Sequence, residues 1–201
     1  MTPRAHGFTF GWVLSFVCLM ALGLPRVSAA PGQRQDAHQR VALSDFQMNV
    51  NDYLEARWCA ELHVRPGSNW ASRILAIEQH AAAVQRERDG MARGNVFSPL
   101  VAMLFGDKVA GAIRAQGATG VALVRALRDR AGNVAGPVVN ARFSVLKTAP
   151  LPAWLLAALP ELPPSLVYRL FDRDLVLLDP ELSIVVDILP GALAGNDGVR
   201  S

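Results

Sequence analysis

The chain has 201 residues, of which 51% are hydrophobic and 18% are charged, a composition that excludes an intrinsically disordered protein. Its formal net charge is +3, but Arg4 and Arg26 lie in an N-terminal segment that we expect to be removed, which leaves +1. Nucleic-acid-binding proteins usually carry a clear basic excess, so nucleic acid is excluded as the expected partner.

Residues 1–29 have the three-part order of a secretory signal peptide. A short basic start precedes an apolar run over residues 11–24, and Val27-Ser28-Ala29 offers small residues where a signal peptidase cleaves. A retained membrane anchor is the open alternative, because a run counted from Phe8 almost reaches the ~20 residues of a spanning helix. We favour cleavage, which predicts a periplasmic or secreted protein without stable membrane insertion.

The remaining chain is long enough for one domain with a hydrophobic core. Residues 30–43 are polar and lack a hydrophobic period, so we expect a flexible leader. A single α+β domain is predicted over residues 44–195, followed by a disordered tail over residues 196–201. Cys59 is the only cysteine outside the predicted signal peptide, so packing must stabilise this domain without an internal disulfide.

Four helices are predicted in the first part of the domain, from apolar residues that recur about every four positions. We expect the first helix to run from Ser44 to Arg65-Pro66-Gly67 and the second from Ser68 or Asn69 to Asp89. The third should begin at Ser98-Pro99, and the fourth should run from Thr119 to Arg130. The expected core residues of the first helix are Phe46, Val50, Leu54, Trp58 and Leu62, and those of the second are Trp70, Ile74, Ile77, Ala81 and Val84. Those of the third are Val101, Phe105, Val109 and Ile113, and those of the fourth are Val121, Val124, Leu127 and Ala131. In the third helix, Ala102, Gly106 and Ala110 form a small-residue stripe that predicts a closely packed neighbouring helix.

Strands are predicted in the last part of the chain, where apolar runs alternate with turn residues. The expected strands are Val138–Phe143, Leu166–Phe171, Leu175–Leu178 and Ile184–Ile188. The last three are joined by short turns at Asp172-Arg173 and Asp179-Pro180, which favours an antiparallel meander because a parallel crossover needs a dozen or more residues. A proline-rich segment with a short helix precedes them, and we expect Trp154, Leu155 and Leu159 to pack on the core. The fold class is therefore α+β, with about four N-terminal helices packed against a small C-terminal antiparallel β-meander.

Several motifs in the second half resemble a family of small exported bacterial proteins of unassigned function. They are Gly94-Asn95-Val96-Phe97-Ser98-Pro99, Val139-Asn140-Ala141, Leu159-Pro160-Glu161-Leu162-Pro163, Tyr168-Arg169, Asp174-Leu175-Val176-Leu177-Leu178-Asp179 and Val185-Val186-Asp187. The resemblance covers about residues 70–193 and implies export and an α+β fold, but no activity. Val167 stands where the family has glutamate and Asn95 where it has aspartate, so any role of those two carboxylates does not carry over to this chain.

The acidic residues of the C-terminal part are candidates for acid/base chemistry or cation binding. Residues 31–147 hold 15 basic and 10 acidic side chains whereas residues 148–201 hold 3 and 7, so we expect the two parts to attract each other. The weak candidates for a ligand site are Arg169, Asp174, Asp179 and Asp187. Turn formation or a cross-strand pair between Arg169 and Asp187 is the structural alternative, and we favour it.

A second constellation lies on the first predicted helix, where Glu55, Cys59 and His63 share a face at spacings of four residues. A thiolate and an imidazole one turn apart can bind zinc, with His80 as a further ligand. Free cysteines are more often buried packing residues, so we predict no metal site. The sequence also predicts no cofactor, because it has no recognisable cofactor-binding motif.

The leading functional hypothesis is a non-catalytic binding or accessory protein of the bacterial envelope. It follows from the lack of a set that combines a nucleophile, a base and a charge stabiliser. The expected partner is an envelope protein or an anionic polymer. The polymer is considered because Arg125, Arg128 and Arg130 have few acidic residues beside them in the sequence to balance their charge. The alternative hypothesis is an envelope hydrolase that uses the carboxylates of Asp174, Asp179 and Asp187 with Arg169 as an anion clamp.

Overall fold

The computed structural model describes residues 31–65, 68–91, 93–131 and 135–194, and in them helices precede a four-stranded antiparallel sheet. The predicted α+β class is confirmed. The helices are α1 (Pro31–Glu61), α2 (Trp70–Glu87), α3 (Pro99–Ala115), α4 (Ala118–Ala131) and the short α5 (Ala153–Leu156), and the strands are β1 (Ala149–Pro150), β2 (Val167–Phe171), β3 (Asp174–Asp179) and β4 (Ile184–Leu189). The predicted signal peptide and the tail over residues 196–201 lie outside the described residues. No helix in the described ranges is both long and apolar enough to cross a membrane.

Helix α1 begins at Pro31, well before the predicted start near Ser44. The stretch that we expected to be a flexible leader is therefore helical, and Ala42 within it is buried. Its polar residues give no hydrophobic period, which is the signal on which the prediction relied. Such residues still extend a helix at little cost once the adjoining turns are fixed by packing.

Large side chains that were predicted to be in the core are exposed near the α1–α2 connection. They are Trp58, Leu62, Trp70 and Ile74. Residues four apart on an α-helix are offset by about 40°, so a stripe that starts at Phe46 has turned by about 160° when it reaches Leu62. The buried side of α1 instead passes through Tyr53 and Ala60.

Helix α3 is the central helix, and its predicted core residues are confirmed. All four are buried: Val101, Phe105, Val109 and Ile113. Helix α3 packs against α1, α4 and α5, which together cover a wide arc of its surface. The predicted close approach at Gly106 is wrong, since a side chain there would meet nothing within 4 Å. The close approach is at Gly120 of α4, where a Cβ atom would lie 2.4 Å from the Ile113 carbonyl oxygen.

The sheet has the order β1-β2-β3-β4 with antiparallel neighbours, which confirms the predicted meander. Its tight turns contain Asp172 and Ser183 at φ 52° and 53°, the left-handed region that short turns often require. One face joins the helices in the main core, and the other packs on the segment around Phe143. Both faces are covered, so side chains on the central strands are buried whichever way they point.

The predicted strand over Val138–Phe143 is not formed as a strand. Asn140 takes a left-handed conformation at φ 61° and interrupts the extended backbone. Its Nδ2 atom donates to the carbonyl oxygens of Gln85 and Arg88 at the end of α2, at 2.9 and 3.1 Å. Backbone hydrogen bonds still join Asn140 and Ala141 to Val185 and Phe143 to Ser183, and Arg142 forms an isolated bridge with Ile184 of β4. The segment therefore connects α2 to the sheet instead of adding a strand.

Candidate functional site

Asp179 ends β3 and is fully buried against α1. It accepts hydrogen bonds from the Tyr53 hydroxyl at 2.8 Å and from Arg57 Nε at 2.9 Å. Its other oxygen accepts from the Leu182 amide at 3.0 Å. Arg57 also contacts Glu181, so this cluster joins the basic first part of the chain to its acidic last part, as the charge distribution predicted.

Asp187 lies on β4 and is also fully buried. One carboxylate oxygen accepts from the amides of Val96 and Phe97, each at 2.7 Å, and the other from Gly94 at 2.9 Å and Ile188 at 2.7 Å. The side chain thus holds the loop that leads into α3. Four amide donors around one buried carboxylate satisfy its oxygens within the fold.

Arg88 follows α2 and lies in the same interior layer. It donates to the Val186 carbonyl oxygen at 3.0 Å, and its guanidinium carbon is 5.0 Å from the centre of the Tyr53 ring. Burial lowers the pKa of Arg88, and the nearby Tyr53 and Asp187 oppose that shift. Burial would also lower the pKa of Arg57, but Asp179 and Glu181 raise it. Together these groups form a polar layer between helices and sheet.

The four ligand-site candidates from the sequence are not gathered at one place. The predicted pair between Arg169 and Asp187 is wrong, because Arg169 lies opposite Val176 whereas Asp187 lies opposite Leu177 across the meander. Asp174 is half-buried and accepts from the Gly191 amide at 2.8 Å, at the opposite end of β3 from Asp179. The described residues therefore show no cleft that Asp174, Asp179 and Asp187 share.

The histidines near Cys59 bond to the backbone. His63 Nδ1 lies 2.8 Å from the Cys59 carbonyl oxygen, and His80 Nε2 lies 2.9 Å from the Arg57 carbonyl oxygen. Cys59 is half-buried. The described part of the chain has no group of three or more side chains suited to hold a metal ion.

A cleft with a volume of about 650 Å³ lies at the β1 edge of the sheet. Because β1 pairs with β2 over two residues only, the chain leaves the edge at Leu151, turns through α5 and returns along the proline-rich segment. Residues between 150 and 162 and between 166 and 169 line the resulting space. The predicted packing of the segment is confirmed, since Leu155 and Leu159 are buried and Trp154 packs against the core. The opposite side of the segment faces the cleft.

Most of the cleft wall is apolar, and Leu156 on it is 49% exposed. Its charged residues are Glu161 and Arg169. Arg169 is half-buried, and its Nε donates to the Thr148 hydroxyl at 2.8 Å. The side chain is therefore fixed at the edge of the sheet, beside an apolar space. Arg169 was predicted from the sequence as a weak ligand-site candidate and as an anion clamp, but the cleft was not predicted, because it depends on how the chain turns through α5 beside β2.

Tyr168 also lines the cleft, packs its ring edge-on against Phe105 and is 4% exposed. Its hydroxyl is buried and has no hydrogen-bond partner among the described residues. Burial raises the pKa of this phenol above its ordinary value. A buried hydroxyl without a partner is uncommon in folded proteins and costs free energy. The cleft is thus lined by a residue whose buried hydroxyl has no partner among the described residues.

Comparisons with protein-family models, curated proteins and solved structures find no match to this chain. The resemblance to small exported bacterial proteins therefore stays a prediction from the motifs. The chemistry of the cleft and of the buried polar layer is the basis for a functional proposal.

Proposed function

We propose that this protein is an exported, non-catalytic binding protein of the bacterial envelope, whose ligand is a small, largely apolar molecule held in the cleft between β2 and the proline-rich segment. The observation that carries the proposal is the cleft itself, at about 650 Å³. Ligand pockets are typically about 300–1,000 Å³, predominantly apolar, and provided with a few fixed polar groups.

The chemistry of the lining favours binding over catalysis. Catalytic sites combine a nucleophile or base with a group that stabilises charge. The described cleft wall supplies Glu161, Tyr168 and Arg169 as its polar side chains, and the tyrosine hydroxyl is buried away from solvent. The carboxylates of Asp179 and Asp187 are bonded inside the fold. A molecule in the cleft would therefore be held and released unchanged.

Export is supported by the order of basic, apolar and small residues over residues 1–29. The test is expression of the full chain in a bacterium, followed by fractionation and mass spectrometry of the N-terminus. The proposal predicts protein in the periplasm or the medium that begins near Ala30. Protein in the cytoplasm with its first residues retained would contradict it.

Ligand binding is tested with Nile red, an uncharged dye whose fluorescence rises in apolar surroundings. The mature protein should bind the dye saturably, and Ala157→Trp should weaken binding at least about tenfold because the new ring fills the cleft. Ala82→Trp is the matched control, because Ala82 is an exposed alanine on α2 that does not line the cleft. Circular dichroism checks that both variants are folded. Equal binding by Ala157→Trp and the unmodified protein would refute the site.

A further inference from the structure

Arg169 is held by residues that the structure describes in a way that leaves one end of its guanidinium without a partner among them. Its Nε donates to the Thr148 hydroxyl at 2.8 Å, and its Nη2 lies 3.4 Å from the Val145 carbonyl oxygen and 3.3 Å from that of Thr148. An arginine has five N–H donors in a rigid plane. The described residues provide acceptors for Nε and Nη2 and none for Nη1. The group is therefore oriented in advance, with two donors unused.

The charge of Arg169 is also not neutralised within the described residues. All of its acceptors are uncharged, in contrast to Arg57, which contacts Asp179 and Glu181. Burial lowers the pKa of Arg169, and the neighbouring positive charge of Arg130 at the end of α4 lowers it further. Glu161, the acidic residue of the cleft wall, forms no salt bridge with Arg169 within the described residues. The cleft thus has an unbalanced positive end.

An anchored cation beside an apolar wall is complementary to a molecule that has an anionic end and a hydrocarbon body. We propose that the ligand of the cleft is a single-chain amphiphile with one anionic headgroup, which bonds to Nη1 of Arg169 while its chain lies along the wall formed by Leu151, Leu156 and Leu162. This inference rests on the proposed binding function and adds the chemical class of the ligand. Charge-assisted hydrogen bonds are the stronger kind and would orient the molecule in the cleft.

The test is a headgroup series on the mature full-length protein, with dodecanoate, dodecyl phosphate, dodecanol and dodecyltrimethylammonium below their micellar concentrations. Displacement of Nile red reports the affinity of each compound. Dodecanoate should bind at least about tenfold more tightly than dodecanol, and the cationic compound should bind most weakly. The phosphate compound distinguishes a carboxylate-specific site from a general site for anionic headgroups.

Arg169→Gln should weaken dodecanoate binding about tenfold and leave dodecanol binding within about twofold, because only the charged contact is lost. Arg73→Gln is the matched control: it removes the same charge from an exposed position on α2 outside the cleft, and should leave both affinities unchanged. Circular dichroism and thermal unfolding establish that both variants are folded, and the headgroup series needs no variant.

The outcomes separate this inference from the proposed function. Equal binding of dodecanoate and dodecanol would overturn the anionic headgroup and leave an apolar binding cleft. Binding of none of the four compounds, and of no Nile red, would overturn both. A headgroup preference that survives in Arg169→Gln would place the charge contact elsewhere and refute the assignment to Arg169.

Discussion

The buried carboxylates at the centre of the sheet and the polar side chains at its edge differ in how fully the protein satisfies their hydrogen bonds. Asp187 accepts four amide hydrogen bonds and Asp179 accepts three bonds from backbone and side chains, all inside the fold. At the edge, Nη1 of Arg169 has no acceptor and the Tyr168 hydroxyl has no partner among the described residues.

This difference shows that burial and charge alone do not identify a binding site. The central carboxylates are the most buried acidic groups that the structure describes, yet they connect elements of the fold. The edge residues are part of a cleft and retain unused hydrogen-bonding capacity. We therefore expect the centre of the sheet to stabilise the fold and its edge to bind the ligand.

The largest effect is expected for Asp187→Asn. Each carboxylate oxygen accepts two amide N–H groups, so either orientation of the new amide places its NH₂ group against two donors. Unpaired buried donors cost about 1–3 kcal/mol each, and we expect the free energy of unfolding to fall by about 3–5 kcal/mol. Urea unfolding measures it. Asp174→Asn, with one bond at the half-buried start of β3, is the control and should cost less than about 1 kcal/mol. Equal losses would remove the distinction between the two aspartates.

A smaller effect is expected for Asp179→Asn. Both side-chain donors bond to one oxygen of Asp179, and only the Leu182 amide bonds to the other. One orientation of asparagine therefore keeps the contacts with Tyr53 and Arg57, and Glu181 still pairs with Arg57. We expect a loss of about 1–3 kcal/mol in the free energy of unfolding, again from urea titration. A loss larger than that of Asp187→Asn would mean that the α1 contact, not the loop into α3, dominates the interior layer.

The smallest effect is expected at the edge, for Tyr168→Phe. This change removes a hydroxyl that has no partner, so at neutral pH the free energy of unfolding should rise or stay within about 1 kcal/mol. The matched change Tyr53→Phe removes the bond to Asp179 and should lower stability by about 1–2 kcal/mol. If Tyr168→Phe is the more destabilising of the two, the hydroxyl has a partner that the fold does not reveal.

The same pair of tyrosines predicts a dependence on alkaline pH. Burial raises the pKa of both phenols, so the folded state keeps them protonated when the unfolded chain, with an ordinary tyrosine pKa of about 10, loses the protons. Their stabilising contribution is complete below pH about 10 and is lost as the pH rises above it. Tyr168→Phe should make this decline shallower by up to about 1.4 kcal/mol per pH unit, measured by urea unfolding at a series of pH values. An unchanged slope would contradict the burial of the phenol.

The sequence was sufficient to predict the elements whose signal is local. The Ser98-Pro99 start of α3 and its core residues follow from capping and hydrophobic period, and the tight turns of the meander follow from the short spacing between its strands. It was harder to predict from the sequence which faces of α1 and α2 are buried. A strict spacing of four drifts around a helix, and the packing of neighbouring helices decides how wide the buried arc becomes.

The contacts of the buried carboxylates could not be predicted because their partners are distant along the chain. Asp187 meets the amides of residues about 90 positions earlier, and nothing in either segment specifies that pairing. The cleft exists because β1 is only two residues long, which is a consequence of where the proline-rich segment packs. Arg169 was recognisable as a candidate by its charge, but its anchoring by Thr148 required the fold.

The most direct test of the contrast between centre and edge is a titration of the ¹⁵N-labelled mature protein with dodecanoate, followed by amide chemical shifts. We predict that the saturable shifts cluster at Leu151, Leu156, Leu162 and Arg169, on the cleft wall, and that the amides bonded to Asp187, at Gly94, Val96 and Phe97, stay in place. Shifts centred on the Asp187 loop, with the cleft wall unchanged, would contradict the account.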